Sequence, residues 1–242
     1  MITDVGGITT ADGAQIRTDT VFRLSGGLAG PDELAALKRA GLRCVVDMRG
    51  PTEPREAIRD WAGAAGIEYV AQPIPAADRS DFVDLVESRG SAAEAAAVME
   101  RIYRGIVDHH GPQIAGTIDA VARNLPAGFG CAAGKDRTGI VTAFLHTTLG
   151  VALEDVVHHY TVSAPPLARL AVLAQDYFGL VEGEAMPPAV EIFMSARPET
   201  MRDTLAHVEA THGGVEQYLV DHGLRAEAID ELRARLVVAR AA

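Results

Sequence analysis

Cys131 and Arg137 stand six positions apart with glycine between them, in the run Gly130-Cys131-Ala132-Ala133-Gly134-Lys135-Asp136-Arg137-Thr138-Gly139-Ile140. The run joins a strand signal to a helix signal. A glycine-bearing loop entering a helix N-terminus turns successive backbone N–H groups inward and makes a concavity for a tetrahedral anion, which the helix dipole reinforces. Arg137, at the mouth of the helix, offers a bidentate fork for two phosphate oxygens. The field that attracts phosphate also stabilises a thiolate, so Cys131 at the base is expected to be a nucleophile near neutral pH, with the Thr138 hydroxyl donating to its sulfur. Cys131 and Arg137 are thus the expected catalytic pair. Ala132, Ala133, Gly134, Lys135 and Thr138 are the expected phosphate contacts.

Three rival readings fit less well. A nucleotide-binding G-x-x-x-x-G-K-[ST] loop fails because only three residues separate Gly130 from Gly134 and because Asp136 follows Lys135. A dinucleotide G-x-G-x-x-G fails because Gly128, Gly130 and Gly134 are spaced one residue too far at the end. An inert buried cysteine leaves Gly134, Arg137, Thr138 and Gly139 unexplained.

Such a loop needs a strand to deliver it and a helix to receive it. Residues 127–131 read as that strand and 137–149 as that helix, ended by Gly150. Upstream, residues 21–25 read as a strand, 31–40 as a helix stopped at Gly41, and 42–48 as a buried strand. Thr52 is expected to cap a helix running to Ala65 and stopped by Gly66, and residues 67–70 to form a strand leading into Pro73-Ile74-Pro75. Strand and helix in alternation predict an α/β layer with a small, mostly parallel central sheet flanked by helices, whose ligands collect at the carboxyl ends of the strands. Residues 80–125 read as helical, with Ser91 and Glu94 as a capping box ahead of Val98, Ile102, Tyr103 and Ile106. Beyond Leu153, Pro165-Pro166, Pro187-Pro188 and Pro198 open helices and Gly213-Gly214 and Gly223 close others, making the carboxyl-terminal half helical. No repeat or linker divides residues 1–242, so a single domain is expected.

Lys and Arg number 22 against 33 Asp and Glu, a formal charge of −11. That excess repels phosphate backbones and anionic lipid, and no basic patch offsets it, so neither nucleic-acid binding nor stable membrane association is expected. Without a basic leader or an apolar run of about eighteen residues, the expected location is the cytoplasm. Cys44, in an apolar strand, reads as core rather than as a disulfide partner of Cys131. His109-His110 and His158-His159 are adjacent pairs facing different directions on their helices, so no metal site is expected, and no cofactor is implied.

Cys131-x5-Arg137-Thr138-Gly139 resembles the signature loop of cysteine-dependent protein tyrosine and dual-specificity phosphatases, and the whole run from Cys131 to Gly139 resembles the atypical bacterial branch that carries Lys and Asp inside the loop. Asp4-Val5-Gly6-Gly7, Val21-Phe22-Arg23-Leu24-Ser25, Val46-Asp47-Met48-Arg49 and Ala196-Arg197-Pro198-Glu199 resemble the same branch in the same order. The resemblance implies a tyrosine-phosphatase-like fold and two-step hydrolysis of phosphomonoesters through a cysteinyl-phosphate, without metal. The substrate would be a phosphoprotein or a small soluble phosphate ester such as a nucleotide or sugar phosphate. Family members usually carry the general acid on a separate Trp-Pro-Asp loop, but the single tryptophan, Trp61, precedes Ala62-Gly63. Asp136 is therefore the first candidate acid, and Asp47, at a strand's carboxyl end, is the second and a candidate substrate contact. Residues 80–110 lie where the branch carries a lid.

Two departures stand out. His158-His159-Tyr160 replaces a family pattern with Asp before the tyrosine. Gly130 stands where the family has histidine, whose ring bonds loop backbone and fixes its amides; the expectation here is a looser loop, a space left by the ring for a substrate or neighbouring side chain to fill, and reduced rather than absent activity. A pseudophosphatase that binds phosphate as an interaction module is the alternative of a different class.

Overall fold

The computed structural model describes residues 2–25, 31–75, 83–85, 90–164 and 186–239. Its first half alternates strand and helix: β1 (Ile2–Asp4), β2 (Gln15–Ile16), β3 (Val21–Ser25), α1 (Pro31–Arg39), β4 (Cys44–Asp47), α2 (Glu56–Ala65) and β5 (Glu68–Ala71). Then follow α3 (Ala92–His109), α4 (Gly111–Arg123), β6 (Ala127–Cys131), α5 (Asp136–Thr148), α6 (Leu153–Ser163), α7 (Pro188–Met194), α8 (Pro198–His212), α9 (Val215–Asp221), α10 (Ala226–Leu236) and β7 (Val237–Val238).

Five strands make the central sheet in the order β1-β3-β6-β4-β5. β3, β6, β4 and β5 are parallel, and only β1 runs against its neighbour β3. β6 lies between β3 and β4 and all five of its residues are buried, as a parallel strand covered on both faces must be. Alternation along the strands sends Val46 and Phe129 to the larger apolar cluster, under α3 to α5 and the carboxyl-terminal helices, while Val45 and Leu24 join Phe22, Leu37, Ile58 and Ala62 beneath α1 and α2. Gly128 and Gly130 face this second cluster, where a side-chain carbon on Gly128 would lie 3.1 Å from Leu24 Cδ1.

The differences from the expected elements have local causes. The helix expected from Thr52 begins at Glu56, with Arg55 in the capping position and no side-chain cap. Pro54 disfavours helical backbone at the residue before it, and Glu53 instead accepts a bond from Gly50 N at 2.7 Å. The Ser91–Glu94 capping box forms as the spacing predicts. Beyond Leu153 the elements among the described residues are helical except for β7, which pairs antiparallel with β2. The helix expected at Pro165-Pro166 lies outside the described residues, as do 80–82 and 86–89 of the expected lid. The remainder of that stretch, α3, buries Val98, Met99, Tyr103 and Ile106 and packs on α7 and α8. Among the described residues no helix is long and apolar enough to cross a membrane.

Candidate active site

β6 delivers Cys131 and α5 receives the chain five residues later. The turn between them needs Gly134, whose φ of +72° is the left-handed region and whose missing Cβ would sit 3.0 Å from Leu24 O. α5 is wrapped by protein on all sides: Ile140, Val141, Phe144 and Leu145 are buried, so its N-terminus is fixed in place. Thr138, in its first turn, accepts from Cys131 N at 3.0 Å and donates to Cys131 Sγ at 3.2 Å. Among the described residues no protein acceptor pairs with the N–H groups of Ala132, Ala133 or Gly134. Amides without a protein acceptor at the start of a helix are donors that an anion can use.

Arg137 is pinned from β4's side. Glu53 accepts from Arg137 Nη1 at 2.5 Å and from Nη2 at 2.8 Å, and the Ile74 and Met48 carbonyls accept from Nη1 at 2.8 and 3.4 Å. Burial works against the guanidinium's charge, but the Glu53 bonds and the Cys131 charge outweigh it and raise its pKa above the usual arginine value. Of its five donors, the Nε–H and one Nη2–H have no partner among the described residues, and these two form the fork a phosphate can use.

Asp136 opens α5 beside Arg137. Its Oδ1 accepts from the Tyr103 hydroxyl at 2.8 Å and lies 3.3 Å from Lys135 Nζ, while Oδ2 has no hydrogen-bond partner among the described residues. Tyr160 OH lies 2.6 Å from Tyr103 OH, and burial, with the Asp136 charge second, raises the pKa of both phenols. Asp47 is differently placed. Its carboxylate takes three side-chain bonds from Arg49 and one from Tyr69 OH at 2.9 Å, and it is 4% exposed. A small cavity lined by Leu24, Val46, Asp47, Ile58, Gly130 and Cys131 brings Asp47 and Cys131 to one wall. Lys135 turns away from the loop: its ammonium donates to the Phe193 and Ser195 carbonyls, the second at 3.4 Å, and completes its set with Asp136.

The surroundings of Gly130 are divided: β3 fills the position a side-chain carbon would take, while the small cavity borders Gly130 elsewhere. A Cβ on Gly130 would lie 2.3 Å from Leu24 O, because β3 runs close against β6 at this register. The loop is braced as well, for Ser25 Oγ lies 2.8 Å from Ala133 O and 3.3 Å from Ala132 O, and Arg23 Nη2 donates to Gly134 O at 3.0 Å. These bonds brace the back of a loop expected to be loose for want of the family's ring.

Glu53 and Ser25 were not assigned roles by sequence reasoning; Tyr103 was read only as an apolar helix position, and Arg23 only as an alternative to Arg49 as the partner of Asp47, which Arg49 takes. Ser25 was within reach of such reasoning, since a parallel strand ending level with Cys131 must place its last side chain beside the loop. His159, beside Tyr160, faces His146 with ring centroids 4.5 Å apart, and burial lowers their pKa values to about 3 and about 4. Cys44 is buried, and burial pushes its thiol up to about 12.

The sequence model of the tyrosine phosphatase family matches residues 2–238. The chain belongs to that family. A candidate tyrosine-protein phosphatase of Cupriavidus necator is 30% identical over 223 residues, covering 90% of this chain and 79% of the relative. The tyrosine-protein phosphatase of Nostoc commune is 28% identical over 92% of this chain and 74% of its own length. The triple specificity protein phosphatase PtpB of Mycobacterium tuberculosis is 27% identical over 84% of this chain and 85% of its own. This phosphatase is accordingly a cysteine-dependent phosphoric monoester hydrolase acting on phosphorylated substrates.

Proposed function

We propose that Cys131 is the nucleophile, Arg137 the transition-state clamp and Asp136 the general acid of a phosphotyrosine-directed phosphatase. The Cys131 thiolate attacks phosphorus in line as the ester P–O bond breaks, and the leaving oxygen takes its proton from Asp136. Water then attacks the cysteinyl-phosphate, giving a proton to the Asp136 carboxylate; the S–P bond breaks, phosphate leaves and the thiolate returns. The Nε–H and free Nη2–H of Arg137, with the loop amides, hold the equatorial oxygens as their charge grows. The observation that carries the reading is the Glu53 grip on Arg137, which leaves those two donors beside the loop that follows Cys131.

Asp136 suits the acid better than Asp47. Its Oδ2 is without a partner among the described residues, whereas both Asp47 oxygens hold Arg49 and a proton there would break a buried ion pair. Lys135 is proposed to shape the loop rather than bind a second anionic group, since its buried ammonium donates to the Phe193 and Ser195 carbonyls and is paired with Asp136. The names of the relatives favour protein phosphotyrosine over a nucleotide or sugar phosphate. The charge of −11 supports an enzyme without nucleic-acid partners, and we propose that it is a single-domain cytoplasmic protein.

A panel of phosphotyrosine, phosphoserine and phosphothreonine peptides against nucleotide and sugar monophosphates tests this, with Cys131→Ser as control. The highest kcat/KM is expected on phosphotyrosine. Higher kcat/KM on a sugar or nucleotide phosphate would make the enzyme a metabolite phosphatase, and no turnover of any ester would make it a phosphate-binding module.

A further inference from the structure

We propose that Arg23 and Ser25, at the carboxyl end of β3, are the positioning residues that hold the phosphate loop open toward its anion and favour the Cys131 thiolate, in place of a side chain before the nucleophile. The proposal rests on Cys131 as nucleophile and adds residues that touch only the back of its loop.

A loop that turns its N–H groups toward an anion must turn the carbonyls of the same peptides outward, and those carbonyls need donors once buried. Two donors from β3 reach three of them, the single Ser25 hydroxyl proton being shared between two. Ser25 Oγ is within bonding distance of Ala133 O and Ala132 O, and Arg23 Nη2 donates to Gly134 O at 3.0 Å. The parallel register that sets Ser25 level with Cys131 puts Arg23 two residues back on the same face of the strand, so one strand face braces three consecutive loop carbonyls. Arg23 Nη1 donates to Ser163 Oγ on α6, which fixes the guanidinium plane.

The charge at this place is as informative as the bonds. Arg23 is 3% exposed, makes no ion pair among the described residues, and its Nε has no partner there. A buried cation without a counter-ion is costly unless an anion forms beside it, and against the effect of burial a charge on Cys131 favours the charged form of Arg23. Burial lowers its pKa to about 10, which still leaves it charged at neutral pH. The Cys131 thiolate, and the phosphate that replaces it in the loop, are the anions that charge serves.

Gly130 fits the same arrangement. A Cβ at that position would collide with Leu24 O at 2.3 Å, so β3 can approach close enough for Arg23 and Ser25 to reach the loop only if this residue is glycine.

Arg23→Met, Arg23→Lys and Ser25→Ala test the proposal, each checked for folding by circular dichroism and thermal melting. The readouts are the pH midpoint of iodoacetamide alkylation at Cys131, kcat and KM on para-nitrophenyl phosphate, and inhibition by inorganic phosphate. Arg23→Met should raise the alkylation midpoint by about one pH unit and lower kcat about tenfold with less change in KM. Arg23→Lys, which keeps charge without the fork, should recover most of the midpoint but only part of kcat. Ser25→Ala should weaken phosphate inhibition about threefold and leave the midpoint nearer wild type. Folded Arg23→Met with wild-type alkylation and kcat overturns the proposal; if Arg23→Met does not fold, wild-type behaviour of both Arg23→Lys and Ser25→Ala overturns it. Turnover by Cys131→Ser would instead overturn the assignment of the nucleophile.

Discussion

β4 and β6 are parallel neighbours that end side by side, yet their ends are opposite in kind. At the end of β4 the charges are closed on one another: Asp47 binds Arg49, Tyr69 caps the same carboxylate, and the Pro54 carbonyl takes another Arg49 donor. At the end of β6 the groups are held but, among the described residues, not used up: Arg137 retains two donors, Asp136 one oxygen, and the loop its amides. A satisfied network fixes structure, while an incompletely satisfied one, rigidly held, has bonds left for a substrate. Glu53 links the two ends, since it belongs to the β4 side and orients the arginine of the β6 side.

The strongest way to break this contrast is Arg137→Lys. Charge is kept, but an ammonium cannot grip Glu53 and two phosphate oxygens as a fork, so kcat should fall by about 10²–10³ on para-nitrophenyl phosphate. Near-normal kcat would show that the transition-state clamp lies elsewhere.

Next come the two carboxylates. Asp136→Asn should slow alkyl phosphates by about 10² while slowing para-nitrophenyl phosphate less than tenfold, because a nitrophenolate leaves without a proton. Asp47→Asn should do the reverse: both substrates change alike, and the melting temperature drops as a buried ion pair is broken, a loss of about 3 kcal/mol. Leaving-group selectivity appearing in Asp47→Asn and not in Asp136→Asn would exchange their roles.

The smallest effect concerns the helices behind β6. His146 and His159 titrate near 4 and 3 in the fold, against about 6.5 in an unfolded chain. Below pH 6.5 the unfolded chain takes up protons that the folded one refuses, so stability should fall as pH drops from 6.5 toward 4, by at most about 1.4 kcal/mol per pH unit for each histidine. Urea midpoints between pH 7 and 5 should decline less steeply in His159→Gln than in wild type; equal slopes would remove His159 from this account.

Local chemistry was legible in the sequence where it is set by neighbours in the chain. The loop from Cys131 to Thr138, the strands β3 and β6, and the Ser91–Glu94 cap all follow from adjacent residues or short spacing. What could not be read was set by register across the sheet. Glu53 meets Arg137 across 84 residues and Arg23 meets Gly134 across 111, and nothing in the periodicity of either segment states its partner. Gly130 shows the same limit: as a residue type it reads as a missing ring, while the approach of Leu24 shows a required glycine.

The central claim is that the end of β6 performs covalent catalysis. Rapid acid quench of enzyme with labelled para-nitrophenyl phosphate, followed by peptide mapping, tests it most directly, with Cys44 as an internal control because it is buried and its thiol is held protonated. The account predicts one acid-stable phosphoryl group per chain at most, carried by the Cys131 peptide, absent in Cys131→Ser and never on the Cys44 peptide. Phosphate found on another residue, or turnover that persists in Cys131→Ser, would contradict it.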